Sequence, residues 1–194
     1  LCLSIDGVGE FETGIIASGK SGKIKILNND NVYPNSLGLL YSAITHYLGW
    51  KHHCDEGIIM GLAPYGNSRS KIIRKKNISY LSIFKKILQE KENFNYKVNL
   101  EYIDYFSVRD KWVTDKFIKI FGPKRNWNQP LTQHHKNIAA ALQDQLENVV
   151  LNQLKKARKI FKFDKLCLAG GVALNCSLNG KISKSKIFKE IFIQ

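Results

Sequence analysis

Two short apolar runs that break into glycines constrain this chain more than anything between them: Leu1-Cys2-Leu3-Ser4-Ile5-Asp6-Gly7-Val8-Gly9-Glu10 near one end and Lys165-Leu166-Cys167-Leu168-Ala169-Gly170-Gly171-Val172-Ala173-Leu174-Asn175 near the other. Each run is short enough for a buried strand, and the first turn carries an acid before its glycines while the second carries an amide after them. A side chain at Gly7, Gly9, Gly170 or Gly171 would hold a phosphate away from the peptide N–H groups of the turn, whereas bare backbone there can form an anion-binding concavity. The pair points to a nucleotide cleft.

The 194 residues, 44% of them hydrophobic, suffice for one sizeable domain or most of one. The charge of +14 is carried mainly by lysine and spread along the sequence; a nucleic-acid interface would concentrate arginine with interleaved aromatics, so nucleic acid is not the expected partner. Cys2, Cys54, Cys167 and Cys176 have neither zinc spacing nor a disulfide framework, and Cys2 and Cys167 fall inside apolar strands as expected buried thiols. A reducing cytoplasm follows as the expected location. No run has the length of a membrane span, and no basic segment with an apolar signal core opens the sequence. Leu1 opens directly on a strand and Phe188–Gln194 reads as a strand with nothing after it, so the chain reads as cut at both ends.

Glu12–Ser18 and Lys23–Leu27 alternate as two strands joined through Gly19-Lys20-Ser21-Gly22, giving a three-stranded meander with the first run. Ser36 is positioned to cap a helix to about Leu48, with Gly49 as its stop. A shorter helix runs from Asp55 or Glu56 to about Leu62, ended by Pro64 and Gly66. Gly57 and Gly61 inside it each cost about 1 kcal/mol relative to alanine, which implies close approach of another backbone or a ligand. Residues 67–130 read as an insertion or subdomain: a helix from Ser79 to about Lys91, an aromatic and asparagine-rich excursion over Asn93–Arg109, and a helix over Thr114–Phe121. A long helix from Thr132 or His134 to about Ile160 buries Ile138, Ala141, Leu142, Leu146, Val149, Leu154 and Ala157. A helix over about Val172–Ile182 follows the second glycine turn. This α/β order, a strand meander, helices, then strand, glycine turn and helix, is that of one lobe of an actin-like ATPase.

Four segments in this order resemble the nodulation-protein-U and cephamycin-type O-carbamoyltransferases: Asp6–Glu10; Tyr33-Pro34-Asn35-Ser36-Leu37-Gly38-Leu39-Leu40-Tyr41-Ser42-Ala43; Glu56 with Met60-Gly61-Leu62-Ala63-Pro64-Tyr65-Gly66; and Leu168–Cys176. His135, Ile138, Ala139, Ala140, Gln143 and Glu147 of the long helix fit as well. The resemblance spans nearly the whole chain. It implies an incomplete N-terminal lobe of the actin-like (ASKHA, ribonuclease H-like) type, similar to the tRNA threonylcarbamoyl transferase subunit. It also implies carbamoyl transfer from carbamoyl phosphate, through a carbamoyl-adenylate made with ATP, to a hydroxyl of a sugar or natural-product acceptor. A divalent metal, iron in expectation, would polarise the reacting oxygens. Asp6 falls on the metal-binding aspartate; Gly7, Gly9, Gly170 and Gly171 fall on phosphate- and nucleotide-facing turns. Asn175 is placed either to bond nucleotide or to tie down the next helix. Glu10 and Glu56 are placed to meet ribose hydroxyls or to hold loops.

The chain departs from the family pattern at Ile58, usually lysine, and at Asn137 and Ala141, usually aspartate and serine. The family's paired histidines upstream of the aspartate and its downstream Gly-Asp turn are not among these residues. His46, His52, His53, His134 and His135 lie elsewhere, and since adjacent side chains point apart on most backbones they read as surface or packing residues. As an isolated piece the chain is therefore expected to be inactive. An actin-fold phosphotransferase of the sugar or acetate kinase kind and a non-catalytic, degenerate binding lobe are the competing readings. Acceptor identity and homo-oligomer formation are left open by the sequence.

Overall fold

The computed structural model describes residues 1–72, 75–107 and 110–194, with Lys75 and Lys76 described by backbone alone. Arg109, the end of the aromatic excursion, lies outside the described residues. In chain order the elements are β1 (Cys2–Ile5), β2 (Glu12–Lys20), β3 (Lys23–Val32), α1 (Leu37–Tyr47), α2 (Glu56–Leu62), β4 (Lys71–Ile72), β5 (Lys75–Ser79), α3 (Tyr80–Ile87), β6 (Leu88–Glu90), β7 (Tyr96–Val98), α4 (Asp115–Phe121), α5 (Gln133–Phe161), β8 (Lys165–Ala169), α6 (Cys176–Ser185) and β9 (Glu190–Ile193). Two compact units result, one of Leu1–Leu39, Glu90–Lys97 and Glu147–Gln194, the other of Leu40–Gln89 and Val98–Leu146.

The first unit holds a five-stranded mixed sheet in the order β3-β2-β1-β8-β9. The meander supplies the antiparallel half: Leu3 pairs with Ile16 in β2, and the β2–β3 hairpin turns on Ser21 and Gly22 alone, both at positive φ. That two-residue turn, with Lys20 opposite Lys23, is tighter than the four-residue connection read from glycine content, because a pair of left-handed residues matches the strand twist. β8 returns parallel to β1, placing Leu3 beside Leu168 and Ser4 beside Ala169, and β9 extends the parallel half. One face of the sheet is apolar and buried through Leu1, Leu3, Ile5, Ile16, Leu166 and Leu168; Val149, Val150, Leu154 and Ala157 of α5 and Leu178 and Ile182 of α6 are buried in the same unit. The alternation works against the cysteines. Cys167 points to the other face and is exposed, and Cys2 is only half-buried, because period-2 geometry sends them opposite to the leucines that made the run look buried throughout.

The second unit is mostly helical, with an aromatic centre in which Phe117 meets Tyr47 at 4.8 Å and Phe121 at 4.6 Å between ring centroids. Ser79 and Thr114 cap α3 and α4 through bonds from the Ser82 and Phe117 N–H groups. The predicted helix from Ser79 to Lys91 stops at Ile87, where Leu88–Glu90 turns extended. The buried Leu88 extends the apolar pattern past the helix end, so periodicity alone overran the boundary. Buried polar groups are matched within the unit: Tyr41 Oη donates to Gln143 Oε1 at 2.9 Å, Ser68 Oγ to Asp144 Oδ2 at 2.6 Å, and Gln145 Nε2 to the Leu88 carbonyl at 2.8 Å. The α5 stripe from Ile138 to Ala157 is buried as its periodicity requires. Among the described residues no helix is long and apolar enough to cross a membrane.

Candidate functional site

The first glycine turn is built on the end of β1. Asp6 N donates to the Thr13 carbonyl at 3.0 Å, and Gly9 N donates to the Glu12 carbonyl at 2.9 Å, so the loop between them closes on the start of β2. Asp6 Oδ1 accepts from Gly7 N at 2.7 Å, which fixes the carboxylate over its own turn while the residue stays exposed. Behind it the buried Thr13 donates its hydroxyl to the Asn35 carbonyl at 2.5 Å and lies 3.3 Å from the Tyr96 hydroxyl. Burial pushes that phenol up to about 12, so it remains protonated at neutral pH. Glu10 is exposed at the outer edge of the turn.

The start of α1 lies on this turn. Ser36 Oγ accepts from Leu39 N at 3.0 Å as the cap and donates toward the Gly7 carbonyl at 2.5 Å and the Asp6 carbonyl at 3.2 Å. A Cβ on Gly38 would come within 2.7 Å of Gly7 Cα and N, so only glycine lets the helix start sit there. Sequence reading found Ser36 as a cap but missed Gly38. Its signal was present, since a glycine in the first turn of an otherwise apolar helix is unfavourable unless backbone passes close by.

The second turn meets the first. β1 and β8 run parallel and in register, so they end side by side and their C-terminal turns become neighbours, the usual place for a ligand in a sheet with parallel strands. Gly170 has φ +84° and a Cβ on it would overlap the Ile5 carbonyl oxygen; a Cβ on Gly171 would stand 2.9 Å from Asp6 Oδ1. Glycine is thus required at Gly170 by the backbone itself, whereas a side chain at Gly171 would have to displace the Asp6 carboxylate. Gly9 is tight against the Glu12 carbonyl, at 3.1 Å for an added Cβ. Gly7 differs, because an added Cβ would find only Leu39 Cδ2 at 4.0 Å. Of the four predicted glycines, it is the one for which no internal packing accounts. Asn175 caps α6, its Oδ1 accepting from Leu178 N at 3.0 Å. The predicted helix from Val172 accordingly divides into a 3-10 turn over Gly171–Leu174 and α6 proper from Cys176.

The remaining predicted residue, Glu56, belongs to the second unit. Its Oε1 accepts from Ser42 Oγ at 2.5 Å and His53 N at 2.6 Å, which is the loop-holding alternative. On α2, added Cβ atoms at Gly57 and Gly61 would meet nothing within 4 Å among the described residues, which supply no close approach there; Gly66, by contrast, is pressed against the Lys136 carbonyl. Ile58 is 46% exposed on the same helix. The Asn137 replacement is mild because its Oδ1 still accepts from Asn67 N at 2.8 Å and Gln133 Nε2 at 3.0 Å, as a carboxylate would.

The adjacent histidines do not all point apart. His52 and His53 rings lie 4.8 Å apart, with His53 at φ +60°, and His52 packs on Trp112 at 4.3 Å. The left-handed backbone at His53 turns its ring back, which the sequence did not signal. His46, 2.6 Å from Lys124 Nζ, is lowered to about 4 by burial first and then by the neighbouring Lys124 and His52 charges. His134 accepts the packing role: its ring contacts the Tyr80 hydroxyl at 2.6 Å and the Phe121 carbonyl at 2.7 Å.

Among the described residues no group of three or more His, Cys, Asp or Glu side chains is arranged to hold a metal ion. Asp6 offers one carboxylate with one oxygen already bonded to Gly7 N. These residues therefore do not fit a metal centre by themselves, and no chemical step is assigned to a metal here.

The juxtaposed turns place a carboxylate and bare backbone at the ends of two parallel strands. The sequence model of the family described as "Carbamoyltransferase N-terminus" matches residues 1–194. The chain belongs to this carbamoyltransferase N-terminal family. Nodulation protein NolNO of Sinorhizobium fredii is 36% identical over 100% of this chain and 25% of its own length, and nodulation protein NolO of Bradyrhizobium diazoefficiens is 36% identical over 100% of this chain and 31% of its own. The uncharacterized protein sll1178 of Synechocystis sp. is 38% identical over 99% of this chain and 30% of its own length. The carbamoyltransferase N-terminal region seen here thus spans less than a third of the length of these relatives.

Proposed function

We propose that this chain is part of an O-carbamoyltransferase lobe of the actin-like type, in which the two glycine turns form the floor of the site for ATP-derived carbamoyl-adenylate. The observation that carries the reading is the meeting of Asp6 with Gly170–Gly171 at the ends of β1 and β8. In the transfer step the acceptor hydroxyl oxygen bonds to the carbamoyl carbon. The bond from that carbon to the AMP phosphate oxygen breaks, AMP leaves with the electron pair, and the hydroxyl proton is released. The role proposed for the turns is to let phosphate oxygens approach peptide N–H groups without steric obstruction. An exposed carboxylate beside phosphates repels them unless a cation stands between; Asp6 is accordingly proposed as one ligand of a divalent cation, completed by substrate or by residues elsewhere in the longer protein. The acceptor, a hydroxyl-bearing small molecule, is proposed from the family chemistry alone.

The test uses the full-length parent protein, labelled carbamoyl phosphate and ATP. Asp6→Ala is expected to abolish transfer of label to the acceptor while circular dichroism stays unchanged; undiminished transfer would remove Asp6 from the site. Label delivered to the acceptor from the γ-phosphate of ATP would replace this reading by a phosphotransferase. The isolated 194 residues are expected to give no turnover in the same assay.

A further inference from the structure

The register that joins the two turns also sets two thiols side by side. Cys2 pairs with Cys167 across β1 and β8, so their Cβ atoms share the sheet face opposite Leu3 and Leu168. Residues in register across all five strands continue this row: Ile26, Ala17, Cys2, Cys167 and Phe192. The row is open to solvent at Ile26 and Phe192, 55% and 66% exposed, and at Cys167. Cys2, half-buried, stands directly across the β1–β8 pairing from Cys167. Neighbouring strands lie about 4.8 Å apart, inside the range of about 4.4–6.8 Å between Cα atoms that a disulfide spans. Neither cysteine is bonded to another in this structure.

We infer that Cys2 and Cys167 form a dithiol modification site that reacts with a small disulfide of the oxidised glutathione class and closes to an intramolecular disulfide. The exposed Cys167 reacts first. Its thiolate attacks one sulfur of oxidised glutathione, the glutathione S–S bond breaks, and one glutathione thiolate leaves. Cys2 then gives up its proton to solvent and attacks the Cys167 sulfur; the mixed disulfide breaks and the second glutathione leaves. Two protein thiols are oxidised and one glutathione disulfide is reduced to two thiols. Burial, and then the Cys167 charge beside it, push the Cys2 thiol up, which suits it to the second, intramolecular attack, where proximity compensates for a low thiolate fraction. The bridge ties together the two strands that carry the glycine turns, and the inference is independent of the chemistry proposed at those turns.

The test is oxidation of the folded chain in glutathione redox buffers, followed by intact mass and peptide mapping under non-reducing conditions. The expected product is a linked Cys2–Cys167 peptide pair, with loss of two hydrogens from the pair and no glutathione retained on it. Cys54 and Cys176, both exposed, serve as controls for simple adduct formation. In Cys2→Ser the glutathione adduct is expected to persist on Cys167, and in denaturant the preference for this pairing is expected to vanish. A stable adduct on Cys167 with Cys2 still reduced in the unaltered chain overturns the inference, as does a Cys167 that resists oxidation while Cys54 and Cys176 react.

Discussion

The glycines that follow β8 and those of α2 look alike in sequence and differ in what holds them. Gly170 is required by a neighbour within its own unit, the Ile5 carbonyl, and a side chain at Gly171 would press on the Asp6 carboxylate, whereas Gly57 and Gly61 meet nothing among the described residues. A Gly-Gly turn after a strand is therefore explained by the packing of two parallel strand ends before any ligand is invoked. A helix that tolerates two glycines with nothing against them is not explained by packing among the described residues. Gly7 falls with the second group although it sits in the first region.

The largest effect that would break this contrast is expected at Gly170→Ala. Positive φ and overlap with the Ile5 carbonyl should lower stability by roughly 3 kcal/mol or more, read as a shift in denaturant midpoint; a shift under about 1 kcal/mol would mean the strand ends yield readily. Next is Arg125→Ala in the second unit. The buried guanidinium donates to the carbonyls of Leu48, Trp127 and Gln129 at 2.6–3.0 Å, closing the end of α1. Its loss should cost about 2–3 kcal/mol, and a neutral outcome would show that water replaces those bonds.

A smaller effect concerns pH. His46 and His135 are each lowered to about 4, in both cases by burial first, so the unfolded chain binds more protons than the folded one between about pH 6.5 and 4. The stability they contribute is complete above about pH 6.5 and is lost as pH falls through this window. Replacing His46 by Gln should flatten the upper part of that slope, measured by midpoints at pH 7, 6 and 5; an unchanged slope would exclude His46 as a contributor. The smallest effect has the opposite sign. Gly57→Ala and Gly61→Ala should each stabilise α2 by about 0.5–1 kcal/mol. If those glycines admit a ligand, the same substitutions should lower carbamoyl transfer by the longer protein; unchanged transfer would leave them as tolerated surface glycines.

Much was legible because local signals agreed. Ser36, Ser79 and Thr114 cap helices where their side chains predict it, and the apolar stripe of α5 is buried where its period places it. The misreadings share one cause, which is that an apolar run gives a strand but not the solvent exposure of each face. Cys167 read as buried for that reason, and Leu88 extended a helix that had already ended. Asn175 and Glu56 carried two roles in sequence. The structure shows Asn175 bonded to the Leu178 N–H and Glu56 to Ser42 and His53.

The sequence by itself determined the elements, the two glycine turns and membership of a carbamoyltransferase family, because periodicity, capping and spacing are properties of neighbouring residues. Only the tertiary structure decided that Asp6 and Gly171 meet, that Gly38 must be small beneath the first turn, and that Cys2 stands beside Cys167. Each of these pairs residues far apart in the chain or fixes which face a side chain takes. Strand register sets both, and no local pattern encodes it.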